Sequence, residues 1–433
     1  MSKVAFITLG CKVNQYETNA MSQEFIEKGY EVVEHHEKAD IYVINTCTVT
    51  NMSDRKSRQM LRRVKELNPN SIVIACGCYV QVAKDEVAKI EDIDLILGNN
   101  EKKNIVEHLE QYQKDKKRQL EIEDLMQQRE FIEFGDVTYT EKTRAVVKIQ
   151  DGCDRFCSYC IIPYARGRVR SRKPEGIISE ITKIAQEGIK EVVITGIHVA
   201  SYGKDFKENY GLIDLLESLN KIEGIERIRL SSIEPLILDE QFINRLSKLE
   251  KICHNFHLSL QSGCDETLKR MNRRYNTEQF KTVVNLIRNT YKDAILTADV
   301  IVGFPGETEE EFEKTYKFLE NVKFYKTHVF KYSPRKGTKA AVMENQIDGN
   351  IKEQRSKKLI ELSNNFEKEY NESYIGKTVE VLWEEEKEGI YKGHTQNYLL
   401  AYYKPEKVNM NLENKITKAN CISAESDHII VEI

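Results

Sequence analysis

Strand-length apolar runs alternate with helix-length stretches twice over in this 433-residue chain, and that alternation confines it to α/β architecture with parallel strands. In the first series, Val4 to Leu9 reads as a strand and Tyr16 to Lys28 carries helical spacing. Ile41 to Ile44 is a buried strand, and Ser53 to Leu67 is a helix rich in Arg and Lys. Ser71 to Ala75 and Asp94 to Leu97 are the further strands. This is the βαβ pattern of a doubly wound parallel sheet. The second series places strands at 144–150, 191–196, 227–233, 255–261, 296–302 and 327–332. Six units make an incomplete (β/α)6 barrel, and its lateral gap admits a large substrate. After a charged helix over about 350–372, short alternating runs such as Thr378 to Trp383 and Tyr398 to Tyr403 predict a small β-barrel or sandwich.

Cysteines fall at the C-terminal ends of these strands, where parallel α/β folds place their ligand sites. Cys153-Asp154-Arg155-Phe156-Cys157-Ser158-Tyr159-Cys160 follows the strand ending at Gln150 and precedes the helix that begins near Gly176. Three close thiolates hold three corners of a four-iron cluster and leave the fourth iron open to another molecule. A closed zinc site asks for four ligands, commonly as paired C-x2-C units, and no second such pair occurs. Cys11, Cys47 and Cys78 each lie just past a strand, at intervals close to the length of one βαβ unit, so the fold brings the three thiols to one sheet edge. Three separate buried thiols fit the same spacing. Cys76 lies inside its strand and reads as a core thiol.

Glycines recur at strand ends, at Thr195-Gly196, Ser262-Gly263 and Gly303-Phe304-Pro305-Gly306-Glu307, where a backbone without Cβ approaches a ligand closely. From Cys153 to Glu175 there are six Arg or Lys and two Asp or Glu, a local charge of +4 that includes Arg166, Arg168, Arg170 and Arg172. This run reads either as a solvated loop or as a contact for a carboxylate or phosphate. Residues 114–141 are dense in charge and read as a solvated, partly helical connector. A net charge of −4 supplies no global basic field for nucleic acid, and ten cysteines are too dilute for a disulfide framework. With no secretory segment at Met1 to Gly10 and no apolar run of about 20 residues, the expected compartment is the cytoplasm, without a membrane span.

The C-x3-C-x2-C loop resembles that of the radical S-adenosylmethionine (SAM) enzymes. With Leu9-Gly10-Cys11-Lys12-Val13-Asn14-Gln15-Tyr16-Glu17-Thr18, Asn45-Thr46-Cys47-Thr48-Val49-Thr50-Asn51 and Gly77-Cys78-Tyr79, nearly the whole chain resembles the radical-SAM methylthiotransferases. The resemblance implies an N-terminal methylthiotransferase domain over 1–113, a connector over 114–141, a radical-SAM core over 142–372 and a TRAM-like barrel over 373–433. It implies two [4Fe-4S] clusters, one on Cys11, Cys47 and Cys78 and a catalytic one on Cys153, Cys157 and Cys160, which cleaves SAM reductively. Tyr159, Gly196, Gln261 and Gly303 are then the cofactor-binding candidates. Among the family's branches, Gly10 to Asn14, Thr50 to Gln59, Gln150 to Cys153 and Ile161 to Arg172 look most like the one that modifies N6-threonylcarbamoyladenosine 3′ to the tRNA anticodon. The other branches act on isopentenyladenosine in tRNA or on a ribosomal-protein aspartate, and a non-enzymatic iron–sulfur carrier is the alternative outside the family. Implied partners are a tRNA anticodon loop, a reductant protein and a sulfur donor. One of Arg166, Arg168, Arg170 and Arg172 is expected to read the substrate carboxylate or a phosphate. From Glu372 onward seven Lys face eleven Asp or Glu with no Arg, a poor match to a phosphate-binding barrel.

Overall fold

The computed structural model describes residues 1–135, 137, 139, 143–405 and 411–433. Six strands form the N-terminal sheet: β1 (Lys3–Thr8), β2 (Glu31–Val33), β3 (Ile41–Thr46), β4 (Ile72–Gly77), β5 (Leu95–Leu97) and β6 (Gln119–Glu121). All pair in parallel, in the order β2-β1-β3-β4-β5-β6. β3 is buried at all six positions, as its unbroken apolar run requires for a strand covered on both faces. Strand order reverses between β1 and β3, and at such a switch point an α/β sheet opens a crevice at its C-terminal edge.

The central domain contains β7 (Arg144–Asp151), β8 (Arg170–Ser171), β9 (Glu191–Gly196), β10 (Arg227–Leu230), β11 (Asn255–Gln261), β12 (Ile295–Val302) and β13 (Lys326–Lys331). Parallel pairing runs β7-β9-β10 and β11-β12-β13, and isolated bridges at Ile228–Ile252 and Ile233–Leu258 join the two halves into one arc. The six parallel strands are those expected from the sequence, and β8 adds an antiparallel edge to β7. Helices cover the outside of the arc. Those at Thr277–Thr290 and Glu309–Val322 start with reciprocal capping boxes, Asn276 with Gln279 and Thr308 with Glu311.

The C-terminal strands β14 (Thr378–Lys387), β15 (Ile390–Thr395), β16 (Leu400–Tyr403), β17 (Ile416–Ala424) and β18 (Ile429–Glu432) close into a small barrel, β14-β15-β16-β18-β17. Trp383 is fully buried in it, and its indole donates to Thr417 Oγ1 at 2.8 Å. This barrel docks under the arc: Arg227 donates to the His394 carbonyl at 2.9 Å, and Arg144 pairs with Glu384 at 2.7 Å. Arg144 and Arg227 begin β7 and β10, so the docking is at the strands' N-terminal end.

The connector departs from its sequence reading. Helix Ile105–Asp115 stops at its start, β6 joins the N-terminal sheet, and described residues beyond β6 reach to the central domain rather than forming a solvated helix. Leu125 is buried, Glu133 pairs with Arg172 at 2.8 Å, and the Phe131 and Phe134 rings lie 5.3 and 5.8 Å from the Lys148 ammonium. Its charged composition hides these few anchors, each of which finds its partner only across the domain boundary. The expected boundary at 141 and 142 lies outside the described residues.

Candidate functional site

The N-terminal cysteines sit on three loops at the C-terminal edge of neighbouring strands. Cys11 precedes helix Lys12–Glu27, Cys47 follows β3, and Cys78 opens the short helix after β4. Two glycines allow that approach. A Cβ on Gly10, at φ +102°, would lie 2.7 Å from Cys47 Sγ, and one on Gly77, at φ +100°, would lie 2.4 Å from the Thr46 carbonyl oxygen. The three sulfurs are in electrostatic range of one another, and burial pushes the Cys11 and Cys47 thiols up. Gly77 also breaks the strand between Cys76 and Cys78. Cys76 packs with Val4, Phe25 and Ile41 in the core, and burial pushes its thiol up to about 11.

The second triad lies on the loop between β7 and β8. Cys153 N–H donates to the Gly167 carbonyl at 3.0 Å, Ser158 N–H to the Met271 carbonyl at 3.0 Å, and Cys160 N–H to the Cys157 carbonyl at 2.9 Å. Gly152 holds φ +72°, with the Arg168 carbonyl where a Cβ would be. Burial, reinforced by the Cys157 sulfur, pushes Cys153 up to about 11 and Cys160 up to about 12. Arg273 donates to Cys157 Sγ at 3.3 Å. Glu234 stands between Arg155, Arg273 and His198, the last at 3.2 Å. Burial alone would raise the Glu234 carboxyl, but His198 and the two guanidinia outweigh it and hold it at about 2.

Three thiols carried to one place on neighbouring loops make a thiolate donor set for a metal group in each triad. The spread of the sulfurs selects which. Among the described residues, the only ligand-bearing trio gathered tightly enough for one ion is the exposed Glu34, His35 and His36. The cysteine triads are not such a one-ion trio, and three thiolates with one position left open are the donors that a four-iron cluster takes. The donor sets therefore fit two [4Fe-4S] clusters.

The expected cofactor positions gather at the same end of the arc. Gly196 ends β9, its backbone close to Gln150, and Gly303 follows β12 at φ +68°. Gln261 ends β11 at φ +66°, a strained conformation for a residue with a Cβ. Gly303 N–H donates to Glu307 Oε2 at 2.6 Å, and Arg355 pairs with the same carboxylate at 2.8 Å. Tyr159 stands edge-on to Phe304, with ring centroids 6.4 Å apart.

The arginine run is corrected by the structure: three of the four are not on a solvated loop. Arg166 is fully buried. It pairs with Glu17, donates to Asn14 Oδ1 at 2.6 Å, and its Nε–H reaches Cys78 Sγ at 3.1 Å. Arg170 donates to the Arg166 carbonyl at 2.8 Å and lies 3.7 Å from Asp151. Arg172 pairs with Glu180 and Glu133. Arg168 alone surfaces, over the Phe156 ring at 4.8 Å and near Asp154 at 3.3 Å. The buried three fasten the domains because a desolvated guanidinium needs fixed carboxylates, and those come from the N-terminal domain and the barrel wall. Sequence reading missed Arg273, Glu234 and His198, which lie far from any cysteine in the chain and carry no motif of their own.

Residues 147–319 match the family model described as the Radical SAM superfamily, and 3–98 match Uncharacterized protein family UPF0004. Over 98% of its length the chain is 42% identical to threonylcarbamoyladenosine tRNA methylthiotransferase MtaB of Bacillus subtilis (strain 168), covering 94% of that protein. It is 43% identical to the protein of that name from Aquifex aeolicus (strain VF5), over 92% of this chain and 95% of that one. A tRNA-2-methylthio-N(6)-dimethylallyladenosine synthase of Clostridium botulinum is 36% identical over 98% of this chain and 96% of its own. In fold, the chain is similar to the radical SAM methyltransferase TsrM from Kitasatospora setae, solved with cobalamin and a [4Fe-4S] cluster: TM-score 0.56, 15% identity, covering 79% of this chain and 77% of that one.

Proposed function

We propose, for a chain that belongs to the radical-SAM tRNA methylthiotransferases, that its substrate is N6-threonylcarbamoyladenosine beside the tRNA anticodon and its product the 2-methylthio derivative. The observation that carries this reading is the pairing of two cysteine triads on two domains locked together by buried ion pairs. When bound, the two clusters and SAM supply radical activation of the adenine C2–H and the sulfur and methyl group placed there. Cys153, Cys157 and Cys160 hold one cluster, with Arg273 offsetting its negative charge. Cys11, Cys47 and Cys78 hold the other, with Arg166 in the same role. Tyr159, Gly196, Gln261 and Gly303 shape the SAM pocket, where backbone freed of Cβ or held at positive φ brings amides close to the cofactor. An anticodon-loop base is reached without opening a duplex, and the unfinished barrel leaves a side entrance for it. A tRNA substrate implies a cytoplasmic enzyme. Among the described residues no helix is long and apolar enough to cross a membrane.

Nucleoside mass spectrometry of tRNA from cells with and without the protein tests the substrate. Loss of the 2-methylthio-threonylcarbamoyl nucleoside is the expected result. Loss of the dimethylallyl product instead moves the chain to that branch, and an unchanged tRNA profile points to a protein substrate or to a carrier. Anaerobic incubation with SAM and reductant separates the last two, because a carrier needs no SAM pocket and forms no 5′-deoxyadenosine.

A further inference from the structure

A cavity of about 570 Å³ lies within the arc, between its strands and the small barrel beneath. That volume suits a nucleoside-sized ligand. Its lining includes Ser231 from the end of β10, His257 from β11, Asp299 from β12, His328 from β13 and Tyr398 from the small barrel. Lys12, which immediately follows the cluster ligand Cys11, enters the same cavity from the N-terminal domain.

The charged groups there are satisfied, with one exception. Arg229 is taken by both oxygens of Glu191, at 2.7 and 3.0 Å. Lys326 pairs with Glu367 at 2.8 Å, and His257 bridges Thr297 and Asp299 at 2.8 and 3.1 Å. Lys12 has no hydrogen-bond or ion-pair partner among the described residues, and the charged groups in its range are the cations Arg144 and Arg229 and the carboxylate of Glu191. Lys12 itself is exposed. The Ser231 hydroxyl is buried and also lacks a partner among the described residues. The one carboxylate in range of this ammonium, Glu191, is already shared by Arg144 and Arg229, so Lys12 is left to take an anion that enters the cavity.

We infer that Lys12, with the Ser231 hydroxyl in the same lining, binds the carboxylate of the substrate's threonylcarbamoyl arm and so selects that nucleoside over adenosines with apolar or absent arms. This rests on the substrate reading proposed above. It also replaces the arginine run, three of whose guanidinia are already committed to carboxylates. An apolar dimethylallyl arm in the same cavity forgoes that charge-assisted hydrogen bond, so the preference is set by an attraction it cannot make.

The test uses the full chain with both clusters reconstituted anaerobically. Its probes are one tRNA prepared with and without the threonylcarbamoyl group. Wild-type protein should prefer the modified tRNA, and if it does not, the substrate reading fails before the residue is considered. Lys12→Met should bind unmodified tRNA as the wild type does and lose about ten- to hundredfold of the preference, the range for a charged hydrogen bond. Lys12→Arg should recover part of it. Iron content is measured in each variant. If Lys12→Met loses iron, the decision passes to Ser231→Ala, which lies away from the cysteines and should weaken the preference several-fold. A Lys12→Met protein with full iron and an intact preference overturns the inference. So does equal weakening toward both tRNAs, which makes Lys12 a phosphate contact, or, in the iron-losing case, a Ser231→Ala protein with undiminished preference.

Discussion

Cys76 and Cys78 are two residues apart and separated in role by one backbone angle. In an unbroken strand both side chains would share a face. Gly77 at φ +100° turns Cys78 onto the loop with Cys11 and Cys47 and leaves Cys76 among apolar core residues. Cys78→Ala should therefore lose the N-terminal cluster's share of the iron, while Cys76→Ala should retain both clusters. Iron analysis beside visible absorption decides it, and equal losses would assign the ligand wrongly. Arg166 adds a subtler prediction. Its Nε–H points at Cys78 Sγ from 3.1 Å, and hydrogen bonds to cluster sulfurs raise reduction potentials. Arg166→Lys keeps the charge near Glu17 and gives up the fork that also reaches the sulfur. Redox titration followed by EPR should show the N-terminal cluster shifted to lower potential and the Cys153 cluster unmoved. The six cysteines proposed as cluster ligands were legible because spacing and strand-end position survive in one dimension. Arg166 was legible only as a positive charge, since its partners Glu17, Asn14 and Cys78 are 149, 152 and 88 residues away. Gln261 was a cofactor candidate from its strand-end position, but its positive φ carried no signal, because that angle at a non-glycine residue is imposed by tertiary packing.

Among the elements, the parallel strands of four residues or more were visible from their apolar or alternating runs, and all six parallel strands of the arc stand where those runs lie. β2 and β6, three residues each, were not: Glu31-Val32-Val33 and Gln119-Leu120-Glu121 gain strand geometry by pairing at the sheet's two edges, not from a pattern of their own. Loops divide similarly, because glycine marks only that a constraint is feasible there. Gly152 and Gly176 illustrate this. A Cβ on Gly152 would fall 1.8 Å from the Arg168 carbonyl oxygen, backbone against backbone, at a left-handed φ. A Cβ on Gly176, inside helix Pro174–Gln186, would meet Glu133 Oε1 at 3.4 Å and the Arg172 guanidinium at 3.6 Å, both ordinary contacts. Gly152→Ala should cost about 2 kcal/mol or more and displace the cysteine loop, so SAM cleavage falls with stability. Gly176→Ala should stay within about 1 kcal/mol of wild type, with helix propensity in its favour. Urea unfolding of the two variants checks the contrast, and similar losses in both would remove the argument.

Across the whole molecule, the two cysteine triads are held in register by an interface whose centre is ionic. Glu17, on the helix that Cys11 precedes, accepts from Lys102 at 2.5 Å, from Lys148 at 2.7 Å and from Arg166. Asp151, two residues before Cys153, accepts from Lys148 at 2.6 Å. On the far side Arg335 donates to Thr48 Oγ1 at 2.5 Å and Asn51 Oδ1 at 2.7 Å and pairs with Asp54 at 2.6 Å, beside Cys47. Burial alone would raise both central carboxyls. For Glu17 the charges of Arg166, Lys102 and Lys148 outweigh burial and hold it well below its ordinary value. For Asp151 those of Lys148, Arg166 and Arg170 hold it at about 2 against 3.8. A carboxyl depressed in the folded state contributes stability that is fully present above its unfolded pKa and is lost as pH falls through the folded one. For Asp151 that window runs from about pH 4 down to about pH 2 and is worth about 2 kcal/mol. Glu17 extends the same loss in the same direction. Urea midpoints measured across acid pH should fall steadily over this range in the wild type. Asp151→Asn should be less stable at neutral pH, because it leaves buried cations short of a partner, and should show a shallower acid slope. Were the wild-type and Asp151→Asn slopes to coincide, the carboxylates would be bystanders and the domains would be held in register by apolar packing instead.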